Sequence, residues 1–159
     1  MNRFSVGVTK KSLSCSIIGG GISGLIAGKL LQQYGFNLTI LDKGRGLGGR
    51  IVTRRIRNTG AGEGIFDYGI QYITDVSQEL KRWLGDWEAV GLVSIWNWES
   101  RSSEDMNIQK YGGIKSMRSI AQHIAVDLNT YNSKKITSLS WDGTSWNISA
   151  DDESSYIIC

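Results

Sequence analysis

The stretch that decides the fold, residues 16–55, reads SIIGGGISGLIAGKLLQQYGFNLTILDKGRGLGGRIVTRR. It opens with a short apolar segment, followed by the glycine pattern GxGxxG at positions 19–24 and then a run with helical spacing of apolar residues. Between a strand and a helix, this pattern lets backbone amides and a helix N-terminus face a diphosphate. The glycine pattern alone is weak, but its full context predicts a dinucleotide-binding site rather than an ordinary loop.

Each glycine of the first turn has a physical role. The preceding segment, Cys15–Ile18, is apolar and short, which predicts a parallel strand buried on both faces. Gly19 allows the tight turn, Gly21 removes the Cβ that would keep phosphates away, and Gly24 lets the helix pack closely on the strand. Apolar residues at helical spacing predict a helix from Ile22 until the Tyr34-Gly35 step.

The second strand of the unit is predicted at Asn37–Leu41, and it ends at an acid. Asp42 stands 18 positions after Gly24. A carboxylate at this edge of the sheet can accept hydrogen bonds from a ribose diol and would repel a 2′-phosphate.

A second glycine turn directly follows the acid, and a plain NAD-binding unit does not need it. Residues 42–50 resemble the GGR signature of FAD enzymes of the flavin amine oxidase superfamily. Residues 53–55 (TRR) with 66–73 (FDYGIQYI) are similar to the TRR…FDHGAQYFT pattern of renalase-like flavoproteins. The resemblance continues through 91–96 and 111–125 and extends from residue 14 to the end of the chain.

This resemblance implies an α/β fold, a Rossmann-type FAD/NAD(P)-binding parallel sheet with an antiparallel hairpin or meander, truncated at its C-terminus. The implied cofactor is FAD. In such proteins Ser23 and Arg50 would neighbour the pyrophosphate, and the turn at 69–72 would approach the isoalloxazine ring. The expected cofactor-binding residues are Gly19, Gly21, Ile22, Ser23, Gly24, Asp42, Lys43, Gly49, Arg50, Ile70, Gln71 and Tyr72.

Several positions depart from the family pattern. Tyr68 replaces the usual His, Ile70 a small Ala, and Ile73 a Phe. Lys115-Ser116 replaces the Pro-Gly that the family has before a helix, and the serine can still act as an N-cap.

Three segments organise the chain. We expect residues 1–13 to form a flexible basic lead and residues 14–159 to form the FAD-binding Rossmann-like domain. Within it, 67–112 are expected to include the start of a substrate-domain insertion. The apolar residues at 156–159 predict a strand, so the chain is expected to end inside it. Enzymes of the resembled class are longer because their fold returns to complete the flavin site. We therefore expect the N-terminal half of such a protein, inactive as this fragment.

The rest of the chain predicts a regular set of elements. Helices are expected at 75–90 and 116–126, and a third parallel strand at 128–131. A hairpin with strands at 136–141 and 144–149 turns at Asp142-Gly143, and an acidic turn at 151–155 follows it. A flexible link is predicted at 59–64, and Trp96 and Trp98 are expected on one face of a strand.

The charge distribution and the reactive residues give little further evidence on function. The net charge is +3, and the cations Lys43, Arg45, Arg50, Arg54, Arg55 and Arg57 cluster after Asp42. Phosphate neutralisation explains this cluster better than nucleic-acid binding. Two distant cysteines and one histidine, His123, predict no metal site and no disulfide. No apolar run reaches the ~20 residues that span a bilayer. A cytoplasmic location is expected, with organellar targeting by the basic lead as the alternative.

The function implied by the resemblance is that of an FAD-dependent oxidoreductase. The flavin would accept hydride from a small-molecule reductant, either a dihydronicotinamide or an amine, and O2 would reoxidise it. No catalytic residue of the chain is assigned, because the cofactor carries the redox chemistry. Two alternatives stay open: a non-catalytic nucleotide-binding remnant, and an NAD-binding dehydrogenase domain that Asp42 would permit.

Overall fold

The computed structural model describes residues 13–60, 62–75, 77–96 and 109–158. Trp98, Cys159 and residues 1–12 of the basic lead lie outside these ranges. The elements in chain order are β1 (Ser14–Ile18), α1 (Ile22–Gln33), β2 (Asn37–Leu41), β3 (Thr53–Thr59), β4 (Gly62–Asp67), β5 (Ile73–Thr74), α2 (Gln78–Ala89), β6 (Val93–Ile95), β7 (Lys110–Gly113), α3 (Met117–Ala125), β8 (Thr130–Tyr131), β9 (Ile136–Trp141), β10 (Trp146–Ala150) and β11 (Ser155–Ile158).

Strands β1, β2 and β8 form a three-stranded parallel sheet in the order β1-β2-β8. β1 runs parallel to β2 from the Ser14–Asn37 pair to the Ile18–Leu41 pair. β8 runs parallel to β2 on its other side, with Tyr131 opposite Leu41. The predicted strand–helix–strand unit and the third parallel strand are therefore confirmed, although the third strand pairs over two residues only.

The prediction that the first strand is buried on both faces is wrong. β1 is half-buried along its length, and Ile18 is 49% exposed. The more buried strand is β2, in which Leu38, Ile40 and Leu41 are buried. It lies between two described strands, whereas β1 is the edge of this sheet among the described strands. One face of β1 lines an open apolar cavity of about 350 Å³ together with Trp146 and Ile158.

Helix α1 packs on strands β1 and β2 of the parallel sheet, and α3 packs against α1. α1 fits closely because Gly28 has no side chain: a Cβ there would lie 2.9 Å from Cδ1 of Ile40 and 2.9 Å from Cδ2 of Leu38. The glycine inside the helical pattern is the signal that could have predicted this close approach. The buried cluster of the core contains Leu25, Leu38, Ile40, Ile51, Leu84, Trp87, Val93, Tyr111, Met117, Ile120, Ala121, Ile124 and Leu128.

The predicted antiparallel hairpin is confirmed and extends to a three-stranded meander of order β11-β10-β9. Its first turn is held by the Asp142 carboxylate, which accepts hydrogen bonds from the amides of Thr144 and Ser145. These donors hold the pKa of that carboxyl well below its usual range. β11 contacts β1, and the Tyr156 ring lies 6.0 Å from that of Tyr131.

Two further sheets occupy the middle of the chain. β3 and β4 form an antiparallel ribbon, and β5, β7 and β6 form a separate antiparallel sheet in that order. The flexible link predicted at 59–64 is shorter than expected, because Thr59 and Gly62 already pair between the two strands of the ribbon. The predicted helix at 75–90 is α2, which begins after Ser77 with the Ser77 hydroxyl as its cap.

The N-terminus of α3 is closed by side chains from the ribbon. The Asp67 carboxylate accepts hydrogen bonds from the Thr53 hydroxyl and, at 3.0 Å, from the Met117 amide. The Thr53 hydroxyl oxygen accepts one from the Arg118 amide at 3.2 Å. Ser116 caps the Ser119 amide, as predicted for a serine at this position. The ribbon thereby fixes the helix that packs beneath the second glycine turn.

We expect Asp67→Ala to lower the free energy of unfolding by about 1–3 kcal/mol, because it leaves part-buried donors on Thr53 and Met117 without an acceptor. Urea denaturation measures the change. Asp86→Ala, on the exposed face of α2, is the matched control and should leave the midpoint within about 0.5 kcal/mol of the parent. Equal stability of the two variants would contradict this description of the α3 cap.

Candidate functional site

The first glycine turn has the shape that the sequence predicts. Gly19 adopts a φ of +112°, which strongly favours glycine, and the chain reverses there into α1. A Cβ on Gly24 would lie 2.0 Å from the Gly19 carbonyl oxygen, so only glycine lets the helix approach the strand this closely. Around Gly21 the space is open: a Cβ there would meet only the Gly49 Cα, at 4.0 Å.

The N-terminus of α1 carries no side-chain cap. Its N-cap residue is Gly21, and its first turn contains no acid. The amides of Ile22, Ser23 and Gly24 have no partner within the helix by its geometry. Serine hydroxyls cap the other two described helices, α2 and α3. Among these three helices, only α1 has N-terminal amides that no side chain caps. The helix dipole favours an anion at this end.

The second glycine turn lies directly against the first. The Gly48 amide donates a 2.8 Å hydrogen bond to the Gly20 carbonyl oxygen, and Gly21 and Gly48 form a parallel bridge. A Cβ on Gly49 would lie 3.1 Å from the Gly21 Cα. The two turns thus meet backbone to backbone, with no side chain between them at Gly21 and Gly49.

Asp42 joins the two turns. One carboxylate oxygen accepts a 2.6 Å hydrogen bond from the Gly20 amide, and the other accepts one of 2.6 Å from the Gly44 amide. The sequence predicts a ribose contact for this acid, and the structure adds a role in shaping the site. The two roles are compatible, because each carboxylate oxygen can accept a second hydrogen bond.

A third segment is held beside the second turn. The Ile70 amide donates a 3.2 Å hydrogen bond to the Arg50 carbonyl oxygen, and a Cβ on Gly69 would lie 2.0 Å from that same oxygen. The Ile70 side chain packs against the core, so its bulk is directed away from solvent. Gln71 and Tyr72 are exposed.

Gln71 lines a cavity of about 570 Å³. Its wall includes Phe66, Trp96 and the backbone of Gly112. The Tyr72 and Trp96 rings lie 5.5 Å apart. The lining combines apolar side chains with the polar side chains of Asp67, Gln71 and Ser94, a composition typical of small-molecule sites.

The cations that follow Asp42 in the sequence lie on two elements of the fold. Lys43, Arg45 and Arg50 belong to the second glycine turn and are exposed. Arg54, Arg55 and Arg57 belong to β3, because the chain becomes extended at Thr53 and pairs with β4.

One residue at the site was not found from the sequence. A Cβ on Gly46 would lie 2.0 Å from Nη2 of Arg118, so the guanidinium of this α3 residue covers the second turn. The contact joins residues far apart in the chain, and no local pattern signals it. His123 is exposed on α3. Within the described ranges no group of three metal-ligating side chains gathers, and no helix there is long and apolar enough to cross a bilayer.

Parts of the chain match known proteins in sequence. Residues 17–87 match the family described as NAD(P)-binding Rossmann-like domain. A segment of 42 residues is 52% identical to flavin-containing amine oxidase A of Sus scrofa, covering 26% of this chain and 8% of that protein. A segment of 52 residues is 40% identical to L-amino-acid oxidase of Mus musculus, covering 33% of this chain and 8% of that protein.

Solved structures share the fold at low sequence identity. Putrescine oxidase bound to putrescine matches with a TM-score of 0.69 and 12% identity, over 92% of this chain and 56% of that one. The Diels-Alderase PyrE3 of pyrroindomycin biosynthesis matches with a TM-score of 0.63 and 15% identity, over 93% of this chain and 31% of that one. The chain therefore spans between about a third and just over half of these structures, and the predicted Rossmann-type fold is confirmed.

We expect Asp42→Ala to destabilise the protein before any ligand is added, by about 1–3 kcal/mol, because two amides lose a charged acceptor. Urea denaturation of the ligand-free protein measures the loss, again against Asp86→Ala. A variant as stable as its parent would show that the acid does not hold the two turns together.

Proposed function

We propose that this chain is the FAD-binding domain of an amine-oxidase-like oxidoreductase. The observation that carries the proposal is the uncapped N-terminus of α1, placed against a second glycine turn with open space at Gly21. Backbone amides and a helix dipole directed at an open space are the physical requirements for binding a diphosphate.

Two features favour FAD over NAD as the dinucleotide. The second glycine-arginine turn joins the site through the hydrogen bond between Gly48 and Gly20. The segment 69–72 is held beside Arg50 by the Ile70 amide. In this proposal it borders the isoalloxazine ring of FAD. The similarity to a flavin-containing amine oxidase and to an L-amino-acid oxidase agrees with this choice.

The residues of the chain take distinct roles in this proposal. Amides at the start of α1 and at Gly49 hold the diphosphate with Ser23 and Arg50 beside it, and Asp42 accepts a ribose hydroxyl. Lys43 lies at the adenosine end. The backbone of Ile70 with Gln71 and Tyr72 borders the flavin ring. The bound flavin would supply the redox chemistry, and the protein contributes binding and orientation.

The finer assignment concerns the substrate. The relatives named above are amine and amino-acid oxidases, so the narrower similarity to renalase-like flavoproteins stays a prediction. We propose a small-molecule reductant, an amine or a dihydronicotinamide, with O2 as the final acceptor. Residues 67–112 would begin the substrate domain, which is supported by the separate sheet formed by β5, β7 and β6 and by the cavity at Gln71. Turnover would require the part of the relatives that this chain does not span.

The test is direct titration of the purified protein with FAD and, separately, with NADH, followed by flavin fluorescence and calorimetry. We expect FAD to bind and NADH to bind more weakly. Binding of NADH without FAD would favour the dehydrogenase alternative, and binding of neither would contradict the proposed function.

Gly21→Ala distinguishes an effect on cofactor binding from an effect on protein stability. The new Cβ meets only ordinary van der Waals contact in the ligand-free protein, and Gly21 has a φ of −71° that any residue adopts. We expect stability to change by less than about 1 kcal/mol, and FAD affinity to fall at least about ten-fold, because the Cβ occupies the space of the phosphates.

Gly85→Ala is the matched control for that variant. Gly85 lies within α2 with nothing within 4 Å of an added Cβ. It should stabilise the protein by up to about 1 kcal/mol and leave FAD affinity unchanged. Unchanged affinity in Gly21→Ala as well would place the cofactor elsewhere.

A further inference from the structure

Arg118 is a partly buried cation that forms no ion pair with another described residue. Its Nε is fully buried and has no hydrogen-bond partner within residues 13–60, 62–75, 77–96 and 109–158. The ion pairs found among the described residues are Lys29–Asp127, Lys81–Asp75 and Lys134–Asp152, so Arg118 takes part in none of them. A buried polar group without a partner in a native protein calls for an explanation.

The backbone around Arg118 is fixed, which directs the side chain to the second glycine turn. Its amide is bonded to the Thr53 hydroxyl oxygen, and one turn of helix later Ala121 supports the turn: a Cβ on Gly48 would lie 3.1 Å from the Ala121 Cβ. The guanidinium lies over Gly46, two residues before the glycine whose amide bonds to the first turn. Arg118 therefore belongs spatially to the candidate site.

Neither Asp42 nor Asp67, the acids of the second turn and of the α3 cap, forms an ion pair with Arg118 in the described part of the chain. The Asp42 oxygens accept from the amides of Gly20 and Gly44, and those of Asp67 accept from Thr53 and Met117. Lys43, Arg45 and Arg50 differ from Arg118 because they are exposed and can be hydrated. Removing a cation from water without a compensating anion is unfavourable, so the position of Arg118 favours an anion from outside the chain.

We propose that Arg118 is an anion-binding residue of the dinucleotide site, with its guanidinium donating to phosphate oxygens of the bound diphosphate. The planar guanidinium offers several N–H donors suited to phosphate. This inference rests on the proposed function, because the anion is the diphosphate of the cofactor. Gly46 is part of the arrangement, since a side chain there would displace the guanidinium.

The experiment measures FAD and inorganic pyrophosphate binding by calorimetry in Arg118→Gln, Arg118→Lys and the parent. We expect Arg118→Gln to weaken both ligands about ten-fold, the loss of one charged hydrogen bond, and to reduce the salt dependence of binding. Arg118→Lys should retain part of the affinity. Arg82→Gln, an exposed position on α2, removes an equal charge away from the site and should bind like the parent.

A structural role for Arg118 predicts a different pattern. If it only covers Gly46, Arg118→Gln lowers the melting temperature while the affinities for FAD and pyrophosphate stay unchanged, and that result would overturn the inference. Gly46→Ala provides a second variant: we expect it to weaken binding in the parent but to add little in the Arg118→Gln background. Equal effects in both backgrounds would also count against Arg118. If the parent binds neither ligand, the proposed function fails together with this inference.

Discussion

The hydrogen bond from the Gly48 amide to the Gly20 carbonyl oxygen is the contact on which the site depends. It joins a turn at the end of β1 to a turn that begins 24 residues later, after β2, and Asp42 strengthens the junction by accepting from an amide on each side. Close approach of two backbones requires glycine at the contact, which explains the glycines at both turns. The apposition leaves the α1 N-terminus facing open space rather than a side chain.

The remaining elements hold this junction in place. α3 packs beneath the second turn through Ala121, and its own N-terminus is closed by Asp67 and Thr53 from the ribbon. The segment at Ile70 is bonded to Arg50 and so is fixed relative to the same turn. The contrast between the closed N-terminus of α3 and the open one of α1 separates a helix end used for structure from one available to an anion.

Local chemistry explains which parts of the molecule could be predicted from its sequence. Strand, glycine turn, helix and acid follow from short-range periodicity and glycine geometry, and these predictions are confirmed by the fold. The misses concern contacts between distant residues: Asp67 bonds to Met117, 50 positions away, and Arg118 reaches Gly46 from another element. The ribbon was missed because its strands mix arginines, glycines and apolar residues without regular alternation. Exposure of β1 depends on what lies beside it, which its own residues do not encode.

The central claim is that the two glycine turns together hold a diphosphate. A crystal structure of the protein with FAD bound tests it most directly. The account predicts phosphate oxygens within hydrogen-bonding distance of the amides of Ile22 to Gly24 and of Gly49, with a ribose hydroxyl on Asp42. A cofactor bound away from the α1 N-terminus, or turns that separate when it binds, would contradict the account.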